Sequence, residues 1–206
     1  MLLVMRSALV TLALTLPLAL AAQRRAPPWS FNASVYAYVP PNDPDYLQPT
    51  LTADHGGLHL EGRYNYEALN TASLWAGVNL GTGHKLRLDV TLMGGAVFGD
   101  LNGIAPGTEI TLSYGPLSLF SEGEYVIDFQ STSGDFFYNW SQFTWQAVDW
   151  LQLGLVAQRT RAYQTARDIQ RGFFAGISVK RFTLDAYVFD PDQASPTWVI
   201  SAGVGF

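Results

Sequence analysis

Most of this chain alternates apolar and polar positions with a period of two. Over Leu58 to Tyr66, Leu58, Leu60, Gly62, Tyr64 and Tyr66 fall on one side, and His59, Glu61, Arg63 and Asn65 on the other, because successive side chains of a strand point to opposite faces. Over Lys85 to Gly99, Leu86, Leu88, Val90, Leu92, Ala96 and Phe98 oppose Lys85, Arg87, Asp89 and Thr91. Over Leu117 to Phe129, an apolar row ending in Tyr125, Ile127 and Phe129 opposes Ser118, Glu122, Glu124 and Asp128. At the end of the chain, Trp198, Ile200, Ala202, Val204 and Phe206 oppose Val199, Ser201, Gly203 and Gly205. No segment sustains a helical period, so the expectation is an all-β chain.

The pattern predicts twelve strands: Trp29–Val39, Pro49–Ala53, Leu58–Tyr66, Thr71–Asn79, Lys85–Gly99, Thr108–Tyr114, Leu117–Phe129, Phe136–Ala147, Leu151–Thr160, Gly172–Val179, Phe182–Asp190 and Thr197–Phe206. The facing of the eighth is ambiguous, because aromatic residues occupy both of its sides. The connections sort by length. Longer segments such as Pro40–Asp45, Asp100–Gly107 and Pro191–Pro196 follow odd-numbered strands. Tight turns such as Asp54–Gly57 and Gly115-Pro116 follow even-numbered ones. An even strand count with turns at one end and loops at the other predicts an antiparallel up-and-down transmembrane β-barrel, closed by pairing of the first and last strands. A soluble sandwich accepts the same alternation, its polar face meeting solvent, but gives no reason for the loops to sort.

Composition adds to this. Only 14% of residues are charged, against about a quarter in ordinary globular chains, while 14% are aromatic. That suits a sheet with one face in lipid. The net charge of −5 excludes nucleic acid as an expected partner. There is no Cys, hence no disulfide framework, no thiolate metal site and no lipid-anchoring cysteine. Residues 1–22 form a separate unit: Arg6, an apolar run from Ala8 to Leu20, and Ala19-Leu20-Ala21 as a small-x-small cleavage site. This predicts a secretory signal peptide. Residues 23–28 read as a periplasmic lead-in and residues 29–206 as the barrel domain. No later run is long and apolar enough for a spanning helix, so any membrane crossing is by strands.

The final strand, closing on Phe206, resembles the closing strand of bacterial outer-membrane β-barrels. With the loop sorting, the resemblance extends along residues 29–206 and is of a porin-like kind. Stretches such as Arg63-Tyr64-Asn65-Tyr66-Glu67, Asn102–Gly107 and Gln158–Tyr163 stand out as signatures without an activity attached. The resemblance implies location in the outer membrane of a Gram-negative bacterium and contact with outer-membrane lipids. It also implies reading of the C-terminal strand by the barrel-assembly machinery.

Function is less determined. Glu61, Arg63, Arg87, Asp89, Glu109, Glu122, Glu124, Asp128 and Asp185 lie on the polar side of their strands, the lumen side in a barrel. Rows of fixed charge in a pore set ion preference, and the acidic excess favours cations. The same charges equally pair across a narrow lumen and fill it. Arg159, Arg161, Arg167 and Arg171 surround the loop after the ninth strand. There they either bind outer-leaflet phosphates or an anionic solute, or form a solvated loop paired within itself, including with Asp168, the reading favoured. His55, His59 and His84 lie in or beside the turns, on the side away from the cell surface where outer-membrane hydrolases work. His55 and His59 beside Asp54 suggest a metal only weakly. Aromatics including Tyr64, Tyr66, Tyr125, Phe136, Phe137, Trp140, Trp145, Trp150 and Trp198 read as interfacial girdles. The expectation is a passive channel for small polar solutes or ions, with no catalytic residue, cofactor or metal. The alternative is a structural or surface-interaction barrel with a plugged lumen, and an outer-membrane enzyme is a more distant third.

Overall fold

The computed structural model describes residues 27–41, 43–130, 134–162 and 168–206, with backbone only at 160–162 and 168. The expected signal peptide and all but the end of the lead-in lie outside the described residues. Twelve strands form one closed antiparallel barrel: β1 Ser30–Val39, β2 Tyr46–His55, β3 Leu58–Tyr64, β4 Thr71–Gly83, β5 Leu86–Gly99, β6 Gly103–Tyr114, β7 Leu117–Asp128, β8 Phe136–Val148, β9 Leu151–Ala162, β10 Asp168–Val179, β11 Phe182–Phe189 and β12 Thr197–Gly205. Two-residue turns follow β2, β4, β6, β8 and β10, and longer segments follow most of the others, so the barrel has a turn end and a loop end. The seam joins β1 to β12, from Asn32 opposite Gly205 to Val39 opposite Trp198. Beyond it, the Phe31 amide donates to the Phe206 carbonyl at 2.8 Å, the reverse bond is 2.9 Å, and the two rings stack at 5.6 Å.

Burial is inverted relative to a water-soluble sheet. On the outer face Leu51 is 61% and Leu74 62% exposed, whereas inside Arg63 is 3% and Glu124 2% exposed. An apolar belt covering a whole barrel is far larger than the patches soluble monomers carry. A belt of this kind is the pattern of barrels whose wall faces lipid.

Several boundaries differ from the sequence expectation. β2 begins at Tyr46, β4 runs on to Gly83, and β10 begins at Asp168, so Arg171 lies in a strand. β6 begins at Gly103 and includes Pro106. Pro106 pairs with Gly94 on the β5 side, while the β6–β7 ladder skips from Ile104 to Gly107. A residue without an N–H leaves that gap yet keeps the register.

Candidate functional site: the lumen

Inward residues of β3, β6 and β7 build a charged cluster, and the alternation expected from sequence supplies it. Arg63 on β3 is its centre. Its guanidinium lies 2.8 Å from Glu61, 2.7 Å from Glu122 and 3.0 Å from Glu124. The flat cation is also sandwiched by aromatic faces, at 4.2 Å from Tyr66 and 4.6 Å from Trp75. A planar, weakly hydrated guanidinium suits this combination of carboxylates and rings. Glu109 faces the same space from β6, in register with Glu122.

Small residues make room for the cluster. Trp75 lies across Gly95 and Gly107, where a Cβ would stand 2.5 Å and 2.8 Å from its ring. Its Nε1 donates to Ser73 Oγ at 2.9 Å and to Glu67 Oε1 at 3.3 Å. Glu67 and Tyr66 come from the segment between β3 and β4, which folds into the lumen. Asn65, with φ of 57°, breaks the strand there; asparagine tolerates this left-handed conformation better than most residues. The expected outward Tyr66 is therefore inward, set edge-on to Tyr138 at 5.5 Å.

Toward the turn end, His59 Nδ1 donates to Asp54 Oδ1 at 2.8 Å, since a carboxylate can only accept. Asn79 Nδ2 donates to the same oxygen at 2.7 Å, and Thr91 donates to Asn79 Oδ1 at 2.7 Å. His59 Nε2 is buried and makes no hydrogen bond. His55 does not join it: its ring stacks on Trp29 at 4.8 Å.

The other half of the lumen is aromatic. Tyr38, Trp140, Val156, Phe174, Tyr187, Phe189 and Val199 form one buried cluster. Trp140 meets Tyr187 and Phe189 edge-on at 5.3 and 5.4 Å. Trp140, expected in an outer girdle, is thus a lumen residue. Phe136 also packs inside, against the cluster of Trp75, Met93, Val97, Ala105 and Val126. Tyr64, Tyr125, Trp145, Trp150 and Trp198 are exposed.

Three cavities lie in line along the axis. One of about 410 Å³ at the loop end is lined by Pro40, Tyr46, Asn65 and Leu69. One of about 180 Å³ in the middle is lined by Thr50, Glu61, Glu109 and Glu122. One of about 510 Å³ at the turn end is lined by Ser113, Gln146, Gln152 and Asp185. Tyr38 and Tyr66 wall both the first and second cavities. Tyr36, Phe120 and Trp140 wall both the second and third.

The remaining sequence candidates lie apart from the cluster. Arg87 and Asp89 form an exposed bidentate pair near the turn end, at 2.6 and 2.9 Å. Asp128 serves its own loop, accepting the Gln130 amide at 2.9 Å. Asp185 accepts from Gln152 at 2.7 Å and Ser201 at 3.1 Å. Arg159 lies on the outer face of β9, 5.4 Å from the Phe137 ring, and Arg171 on that of β10, 3.8 Å from Asp192. The Arg161 side chain and Arg167 fall outside the described residues.

No family model matches the sequence, and no curated protein matches it. Among solved structures, the fold is similar to a KdgM porin, with 9% identity and a TM-score of 0.60 over 85% of this chain and 99% of that one. It is similar to a NanC porin, with 8% identity and a TM-score of 0.56 over 84% and 98%. A KdgM porin was also solved in complex with disordered oligogalacturonate, and shares 10% identity with this chain at a TM-score of 0.58 over 86% and 99%. The shared feature is the fold, a closed antiparallel β-barrel like those of these porins.

Proposed function

We propose that this protein is a narrow outer-membrane channel that passes small cations and small polar solutes. The observation that carries this reading is the line of three cavities whose middle member is walled by Glu61, Glu109 and Glu122. Three carboxylates, Glu61, Glu122 and Glu124, contact the single guanidinium of Arg63, and Glu109 lines the same cavity. Fixed negative charge where the passage is narrow favours cations. Oligogalacturonate, named with one similar porin, is a polyanion, and this acidic interior is a poor match for one.

In this reading residues 1–22 direct export and are removed. The turn end faces the periplasm, the loop end faces outward, and the C-terminal strand with Phe206 engages the assembly machinery. Arg159 and Arg171 sit near the outer rim, where a charge on the lipid face costs about 0–1 kcal/mol instead of about 2–4 at the midplane, and where lipid phosphates lie. No catalytic step is assigned.

Planar-bilayer recording of the refolded protein tests the proposal. Small, stable unitary steps are expected, and their absence from a correctly folded sample would contradict it. One observation favours the second reading, a barrel closed by its own side chains: the packing of Tyr36, Trp140 and Tyr187 across the passage. Under that reading Trp140→Ala creates conductance where the parent has none.

A further inference from the structure

We propose that His59, Glu61 and Glu109 form a binding site for one divalent transition-metal ion inside the barrel, independent of whether the barrel conducts. Three observations converge. One donor atom from each residue lies within 4.8 Å of the other two. His59 is 4% exposed, yet its Nε2, beside the two carboxylates, has no hydrogen-bond partner. The Nε2 to Glu61 Oε2 distance is 3.5 Å. Ligands at about 2.0–2.2 Å from a tetrahedral ion stand about 3.3–3.6 Å apart, so this pair already has the right separation. A small rotation of Glu109, on the wall of the middle cavity, brings in the third ligand.

The surroundings are those of a metal-binding histidine. A ligating imidazole commonly donates its other N–H to a carboxylate, which fixes its tautomer and orientation. Here Asp54 takes that bond, Asn79 holds Asp54, and Thr91 holds Asn79. The free nitrogen is thereby aimed away from Asp54 and toward Glu61. The charge balance points the same way. Among the described residues of the cluster, Arg63 is the one permanent cation against Glu61, Glu109, Glu122 and Glu124. A dication cuts that excess of three negative charges to one. Arg63 shares Glu61 Oε2 at 2.8 Å, so guanidinium and metal bridge through one carboxylate. Three protein ligands leave a coordination position, and the middle cavity of about 180 Å³ has room for a water to fill it. Mixed imidazole and carboxylate donors suit Zn²⁺ or Co²⁺ better than Ca²⁺ or Mg²⁺.

The test is titration of the chelator-stripped, refolded full-length protein in detergent with Co²⁺, followed by its visible d–d absorption, then displacement by Zn²⁺. One Co²⁺ per barrel is expected. His59→Ala should abolish saturable binding, and Glu109→Gln should weaken it at least tenfold. Asn79→Ala should weaken it less. The double variant His55→Ala/His84→Ala should bind as the parent does. Heat-modifiability on gels verifies that each variant is folded, and Glu109→Gln, which removes one half-buried charge without changing shape, keeps the test decisive if His59→Ala fails to fold. The proposal is overturned if folded protein shows no saturable Co²⁺ binding. It is equally overturned if binding survives both ligand variants, or disappears with His55 and His84.

Discussion

The two halves of the lumen are filled by different physics. The half built from β3, β6 and β7 is ionic: Arg63, with no side-chain exposure, is held by Glu61, Glu122 and Glu124. The half built from β1, β8, β10, β11 and β12 is aromatic, with Tyr38, Trp140, Phe174, Tyr187 and Phe189 in mutual contact. A buried charge network is sensitive to loss of one member, because the remaining charges are left uncompensated. An aromatic cluster loses only the area and contacts of the ring removed. In the channel proposed above, the ionic half is the part that sets ion preference and the aromatic half the part that sets width.

The largest expected effect separates these directly. Arg63→Ala leaves three carboxylates facing one another and should cost about 3–5 kcal/mol, read as a lower urea midpoint in detergent. Adding Glu122→Gln should recover part of that loss. If the double variant is as unstable as the single, charge compensation is not what holds this half. Trp140→Ala comes next, at about 2 kcal/mol. That lies below the usual cost of a sealed core because water from the adjoining cavities enters the gap. It should raise unitary conductance without reversing ion preference, and a reversed preference would join the two halves into one device. Gly95→Ala follows, pressing a methyl group against Trp75 at 2.5 Å and costing about 1–2 kcal/mol by overpacking. A neutral result would mean that Trp75 is free to move. The smallest effect belongs to Asp89→Asn. It breaks an exposed ion pair with Arg87 near the turn end, and should leave the unfolding midpoint unchanged, as exposed pairs contribute little.

The two halves were also unequally legible. Glu61, Arg63, Glu122 and Glu124 follow strict alternation in β3 and β7, so their common side was readable, as were the twelve strands, the sorting of loops and the β1–β12 seam. Alternation fails where both faces are apolar. β8 carries Phe136, Phe137, Tyr138, Trp140, Phe143 and Trp145, and an aromatic ring suits a lipid interface as well as a packed lumen. Only neighbours across the barrel turn Trp140 inward. Tyr66 was misplaced for a different reason: the period of two holds only while the backbone stays extended, and Asn65 ends the strand. The grouping of His59 with Glu61 and Glu109 depends on the barrel's closure, because Glu109 sits three strands away from β3.

The central claim is that a net acidic lumen selects what passes. The most direct measurement is the reversal potential of single channels in a KCl gradient, for the parent and for Glu122→Gln/Glu124→Gln. The account predicts a potential of the sign for cation preference, moving toward zero in the double variant. Anion preference in the parent, or a potential that the two substitutions leave unchanged, would contradict it.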